Sequence, residues 1–178
     1  MTYVLGLGNV LMGDDGFGPT VVRAFEAEYA VGPGVEIVDL GTRGLDLTPW
    51  LADARQVIII DTVNTGQAPG TLRVYDKREL MRHVPSARAG PHDPGVKEAL
   101  LALDFSGRGP SEFALIGVVP LCVEMGVDLT PTIRAMVPAA VELLATMLRL
   151  FGAIVMRREQ PSPRHPWWTV SPPPRTSN

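Results

Sequence analysis

Residues 56–63, QVIIIDTV, constrain the fold more than any other part of the chain. They form a short apolar run rich in β-branched residues, with Asp61 near its end. Such a run predicts a strand that is covered on both faces of a sheet, because a strand with one solvated face alternates apolar and polar residues. A carboxylate that closes this strand is costly to bury alone. Asp61 is therefore expected either to accept hydrogen bonds from a neighbouring loop or to bind a cation.

Strand and helix signals alternate through most of the remaining sequence. Further strands are predicted at residues 3–8, 35–40, 70–75 and 113–119. Helices are predicted at residues 19–30, 45–55 and 94–103, and from residue 131 onward. Pro138 is expected to kink or break the last of these helices. The alternation predicts a three-layer α/β fold, in which a twisted, mostly parallel five-stranded sheet carries helices on both faces.

Length and composition predict one globular domain with a short extension. The chain has 178 residues, of which 46% are hydrophobic and 20% are charged. We expect a domain over residues 1–156 and a flexible tail over residues 157–178, because the tail holds six of the seventeen prolines. Trp167 and Trp168 lie in this tail and suggest either loose packing or a docking segment.

Charge and cysteine content exclude several classes of protein. The net charge is −3, so no basic excess is present to bind nucleic acid. The single cysteine, Cys122, rules out an intrachain disulfide framework and is expected to be a buried, inert thiol. Residues 135–156 are apolar, but their polar residues fall in one arc of a helix, which predicts an amphipathic helix and no membrane span. These features favour a cytoplasmic protein, and a monomer because no long apolar helix face is left over.

Several acidic residues and one histidine follow the predicted strands. The carboxyl ends of parallel strands meet at one edge of a sheet, where binding sites form. The candidates at this edge are Asp14, Asp15, Asp39, Asp61 and His92. Two carboxylates and one imidazole suit a borderline divalent metal such as nickel or zinc, and three ligands leave coordination positions open. Each candidate also has a structural interpretation: the adjacent pair of aspartates as a turn and helix cap, and the histidine as an ordinary loop residue.

Motifs for other chemistries are broken or absent. Gly6 and Gly8 follow a strand as in a dinucleotide fingerprint, but Leu11 occupies the third glycine position. The sequence contains no phosphate-binding loop of the G-x-x-x-x-G-K-[ST] type, no H-E-x-x-H and no G-x-S-x-G. A nucleotide-binding α/β protein is therefore disfavoured.

Residues 6–18, GLGNVLMGDDGFG, resemble the N-terminal signature of the NiFe-hydrogenase maturation endopeptidases. The resemblance continues in the same order through shorter blocks and covers residues 3 to about 150. These blocks are DLGTRG at 39–44, IIID at 58–61, APGT at 68–71, PH at 91–92, IGVVP at 116–120 and LTP at 129–131.

The resemblance implies an aspartyl-type endopeptidase that recognises the nickel-loaded precursor of a hydrogenase large subunit and removes its C-terminal extension. It implies that the nickel belongs to the substrate, and that Asp15, Asp61 and His92 are its ligands and the catalytic residues. It also makes four residues around the second strand candidates for substrate contact. These are Asp39, Gly41, Thr42 and Gly44.

Two points stay open at this level. Residues 93–95 depart from the family pattern, which leaves the particular hydrogenase partner undetermined. The alternative function is a non-catalytic, chaperone-like module that binds the nickel-loaded subunit without cutting it.

Overall fold

The structure, a computed structural model, describes residues 1–41, 47–83 and 95–161. Its strands are β1 (Thr2–Leu7), β2 (Tyr29–Val31), β3 (Val35–Gly41), β4 (Gln56–Thr62), β5 (Leu72–Asp76), β6 (Glu112–Val118) and β7 (Val155–Arg157). Its α-helices are α1 (Phe17–Glu28), α2 (Thr48–Leu51), α3 (Lys77–His83), α4 (Val96–Phe105), α5 (Pro131–Arg134) and α6 (Val137–Leu150). A short 3₁₀ helix, Gly13–Gly16, precedes α1.

The main sheet has five strands in the order β3-β1-β4-β6-β5. The first four are parallel, and β5 is antiparallel to β6. Only residues 63–71 join β4 to β5. Because that connection contains no crossover helix, the chain cannot return to the end of the sheet where the parallel strands begin. Strand β5 therefore runs antiparallel to them. The prediction of a mostly parallel five-stranded sheet is confirmed.

Helices cover both faces of this sheet, as predicted. Every residue of β4 is buried, and its side chains alternate between two apolar cores. Ile58 and Ile60 pack with α1 and α6 on one face. Val57 and Ile59 pack with residues of α2, α3 and α4 on the other. The run at residues 56–63 is continuous because both faces of its strand are covered.

Several element boundaries differ from those predicted. The first helix runs from Phe17 to Glu28, and residues 29–31 form β2, which pairs antiparallel with β7. The helix expected at 45–55 is reduced to one turn, and α3 was not predicted. The break expected at Pro138 is confirmed, because α5 ends at Arg134 and α6 begins at Val137 with the proline in its first turn.

The described C-terminal residues are attached to the domain. Strand β7 ends at Arg157, and the Arg158 backbone N–H donates to the Glu28 carbonyl at 2.7 Å. Trp167 and Trp168 lie outside the described residues. In the described part of the chain, no helix combines the length and apolar character that a membrane crossing requires.

Candidate functional site

Glycines allow the start of α1 to pack directly on the carboxyl ends of β1 and β4. A Cβ atom at Gly18 would overlap the carbonyl oxygens of Leu7 and Ile60. A Cβ atom at Gly8, whose φ is +142°, would overlap the carbonyl oxygen of Asp15. Both positions therefore require glycine. This close packing places the turn that carries Asp15 at the edge of the sheet where β4 ends.

Thr62 connects the carboxylates of Asp15 and Asp61. Its hydroxyl donates to Oδ1 of Asp15 at 3.3 Å, and its backbone N–H donates to Oδ1 of Asp61 at 2.7 Å. The Asn9 backbone N–H donates to the other oxygen of Asp15 at 2.8 Å. Asp15 and Asp61 are 7% and 6% exposed, so both residues are buried at the carboxyl ends of the strands. The structure thus brings together two of the three residues that the sequence predicted to act jointly.

Asp14 is adjacent to Asp15 in the sequence, but its side chain has a structural role. It is fully buried, and its carboxylate accepts four hydrogen bonds. The backbone N–H groups of Leu121 and Cys122 each donate to Oδ2 at 2.9 Å. Thr130, the N-cap of α5, donates its N–H to Oδ1 at 2.7 Å and its hydroxyl to Oδ2 at 3.0 Å. Asp14 therefore connects the turn at residues 13–16 to the loop after β6 and to the start of α5.

Two of the four predicted substrate contacts, Asp39 and Gly41, lie in β3. Asp39 forms an ion pair with Arg23 of α1 at 3.0 Å and accepts a hydrogen bond from the Gly41 N–H at 3.1 Å. The Gly41 carbonyl accepts a hydrogen bond from Gly8 at 3.3 Å, so this turn borders the loop that leads to Asp15. Thr42 and Gly44 lie outside the described residues.

His92 also lies outside the described residues, so its predicted place beside the two carboxylates stays a prediction. Within residues 1–41, 47–83 and 95–161, no three His, Cys, Asp or Glu side chains form a group suited to a metal ion.

Sequence reasoning missed two features of this region. Thr62 follows Asp61 directly, but nothing in the local pattern indicates that its hydroxyl reaches a residue 47 positions away. Cys122 was expected to be buried; that expectation is wrong, because it is partly exposed. Its apolar surroundings in sequence suggested a core segment, whereas Asp14 holds this segment in a surface loop.

Comparison with known proteins gives one consistent result. The sequence model of the HycI hydrogenase maturation protease family matches residues 19–147. The hydrogenase expression/formation protein HupD of Rhizobium leguminosarum bv. viciae is 37% identical over 88% of this chain and 78% of its own. The hydrogenase 2 maturation protease of Escherichia coli is 36% identical over 88% of this chain and 95% of its own.

Solved structures agree with these sequence matches. The hydrogenase maturating endopeptidase HybD from E. coli superposes with a TM-score of 0.79 at 35% identity, over 88% of this chain and 97% of that chain. The hydrogenase maturation protease HybD from Thermococcus kodakarensis superposes with a TM-score of 0.62 at 26% identity, over 82% of this chain and 97% of that chain. A peptidase is supported, and the non-catalytic module is not favoured. The chain belongs to the hydrogenase maturation protease family.

Proposed function

We propose that this protein recognises the nickel-loaded precursor of a NiFe-hydrogenase large subunit and removes a peptide from its C-terminus. Asp15, Asp61 and His92 are the residues that bind the nickel, which arrives with the substrate. The observation that carries the proposal is the pairing of two carboxylates through Thr62 at the carboxyl edge of the sheet.

The hydrogen bonds around these carboxylates support a role in metal recognition. Thr62 and the Asn9 backbone hold Asp15, and the Thr62 backbone holds Asp61. Such bonds from neighbouring groups fix the rotamer of a ligand before the metal arrives. A metal ion that already carries ligands from the substrate has only a few open coordination positions, and side chains of the protease fill these.

The bound nickel has two possible roles in cleavage. As a docking point, it holds the scissile bond in register with the protease and acts through proximity. As a Lewis acid, it polarises the carbonyl group or lowers the pKa of a bound water. In both roles, a precursor without nickel is not cut, so dependence on the metal gives specificity.

Three broader features complete the proposal. The protein works in the cytoplasm and as a monomer. The flexible extension expected from residue 157 begins after Arg158, because Arg157 lies in β7 and Arg158 is bonded to Glu28. Sedimentation equilibrium tests the monomer, and limited proteolysis tests the extension.

A cleavage assay tests the function directly. Purified protein is mixed with nickel-loaded or nickel-free large-subunit precursor, and intact mass reports the products. We expect loss of a C-terminal peptide from the loaded precursor alone. Binding of the loaded precursor without cleavage would instead support the chaperone-like module. Neither binding nor cleavage of the cognate precursor would contradict the proposal.

Matched variants test the ligand assignment. Asp15→Asn, Asp61→Asn and His92→Ala are expected to abolish processing while the circular dichroism spectrum stays that of the wild type. Asp53→Asn is the control, because Asp53 is an exposed carboxylate that precedes β4 and lies at the opposite edge of the sheet. Normal processing by the Asp61 and His92 variants would show that the assignment is wrong.

A further inference from the structure

Five large apolar side chains are exposed on two loops near Asp15. Met125 is 92% exposed, and the other four are close to half exposed. We call this set the apolar rim, and its members are Leu11, Leu121, Val123, Met125 and Val127. Groups of exposed apolar residues on a folded protein mark surfaces that bind a partner.

The two loops of the apolar rim are bonded to each other. The Gly126 N–H donates to the Leu11 carbonyl at 2.9 Å, and the Gly13 N–H donates to the Gly126 carbonyl at 2.8 Å. Gly126 lies between Met125 and Val127 in the sequence. These bonds therefore hold Leu11 beside the residues of the second loop.

The apolar rim is also fixed relative to the candidate site. The buried carboxylate of Asp14 accepts the N–H of Leu121, and the Asp14 N–H donates to the Cys122 carbonyl at 3.0 Å. Asp15 is the next residue along the chain. The exposure of this apolar segment is therefore imposed by specific bonds to the turn that carries Asp15.

We propose that the apolar rim binds an uncharged, apolar segment of the large-subunit precursor next to the bond that is cut. This inference rests on the proposed function. A protein whose metal centre reaches Asp15 and Asp61 has to lie against the loop that carries Asp15, and the apolar rim is continuous with that loop. In residues 119–129 the charged residues are Glu124 and Asp128, and Asp128 pairs with Arg134 at 2.9 Å. An apolar segment gains free energy on this surface, whereas a strongly charged one does not.

A paired substitution tests the docking role. In the Leu121→Ser/Met125→Ser variant we expect KM for the nickel-loaded precursor to rise about 10- to 100-fold, with kcat within about threefold of the wild type, as for loss of uniform binding. Binding measured by biolayer interferometry is expected to weaken by the same factor. The control is Leu150→Ser/Ile154→Ser, which removes two exposed apolar side chains elsewhere. Leu150 precedes Phe151, whose carbonyl accepts a hydrogen bond from Gln56 at the start of β4, so this pair lies at the far end of the sheet.

The outcomes separate the docking inference from the proposed function. If the wild type cleaves the precursor and the Leu121→Ser/Met125→Ser variant keeps both KM and affinity, the docking inference is wrong and the function stands. If the wild type binds without cleaving and only this variant loses affinity, the docking inference stands and the function is wrong. Failure of the wild type to bind overturns both. Self-association of the wild type that this variant abolishes would assign the apolar rim to a second copy of the chain and overturn the inference.

Discussion

Asp14 and Asp15 are adjacent acidic residues for which the structure predicts opposite effects of substitution. Asp14 is fully buried and accepts four hydrogen bonds, three from backbone N–H groups and one from a hydroxyl. Asp15→Asn should abolish processing at little cost in stability. Asp14→Asn should lower stability and leave kcat of the folded protein close to that of the wild type.

The size of the Asp14→Asn effect follows from its hydrogen bonds. Three of the four bonds end on Oδ2, so the amide oxygen of the variant takes that position. The amide nitrogen then faces the Thr130 N–H, and this partly buried donor loses its acceptor at a cost of about 1–3 kcal/mol. The three remaining bonds lose the contribution of the charge, roughly 1 kcal/mol each before correction for non-additivity. We expect a total loss of about 4 kcal/mol.

Thermal unfolding followed by circular dichroism measures this loss. For a chain of this size, about 1 kcal/mol shifts Tm by roughly 2–4 °C, so the expected decrease is about 8–16 °C. Thr130→Val removes only the hydroxyl bond to Asp14 and should cost about 1 kcal/mol, which provides a graded test if Asp14→Asn fails to fold. A melting temperature of Asp14→Asn within about 2 °C of the wild type would refute the reasoning.

Three further predictions concern the site and the core. Thr62→Val removes the hydroxyl bond to Asp15 and should weaken processing about 10-fold, with Tm lower by only about 2–4 °C. Thr62→Ser keeps the hydroxyl group and should keep activity; equal kinetics of all three proteins would exclude a positioning role. Gly18→Ala should lower the free energy of unfolding in urea by about 3 kcal/mol or more, because its Cβ atom meets two backbone carbonyls. Gly66→Ala, at φ +70° in open space, should lower it by only about 1 kcal/mol. Similar losses for the two variants would contradict the packing argument. Burial and the 2.8 Å hydrogen bond to Glu142 raise the pKa of Tyr29 in the folded protein. The contribution of this residue to the free energy of unfolding is therefore fully present below the usual tyrosine pKa, and it is lost as pH rises through the higher folded value. Stability of the wild type should therefore fall more steeply than that of Tyr29→Phe above about pH 10, and parallel pH profiles would contradict this linkage.

Local patterns were sufficient for the main features of the fold. The β-branched run of β4 required cover on both faces, and the structure provides it through two apolar cores. The proline at position 138 fixed the break between α5 and α6, because proline is compatible with the first turn of a helix and not with its interior. Gly8 and Gly18 allow backbone segments to approach closely in the structure, but the sequence analysis did not predict this approach.

Sequence patterns were insufficient where a residue's partner lies far along the chain. Strand β2 pairs with β7 more than a hundred residues later, so Tyr29 and Ala30, which were predicted to be helical, are extended. Residues 70–75 were predicted to form a strand, but the sequence analysis did not predict that this strand, β5, is antiparallel to β6.

The sequence alone determined the α/β class, the family resemblance, the position of Asp61 near the end of a strand and the position of Asp15 in the loop after the first strand. Only the tertiary structure decided which of two adjacent aspartates is structural. Both are short acidic side chains in the same glycine-rich turn, and they differ in the residues that donate hydrogen bonds to them. Asp14 receives donors from positions 121, 122 and 130, whereas Thr62 joins Asp15 to Asp61. Hydrogen bonds between distant segments fix the position of each carboxylate, and a local pattern carries no information about such partners.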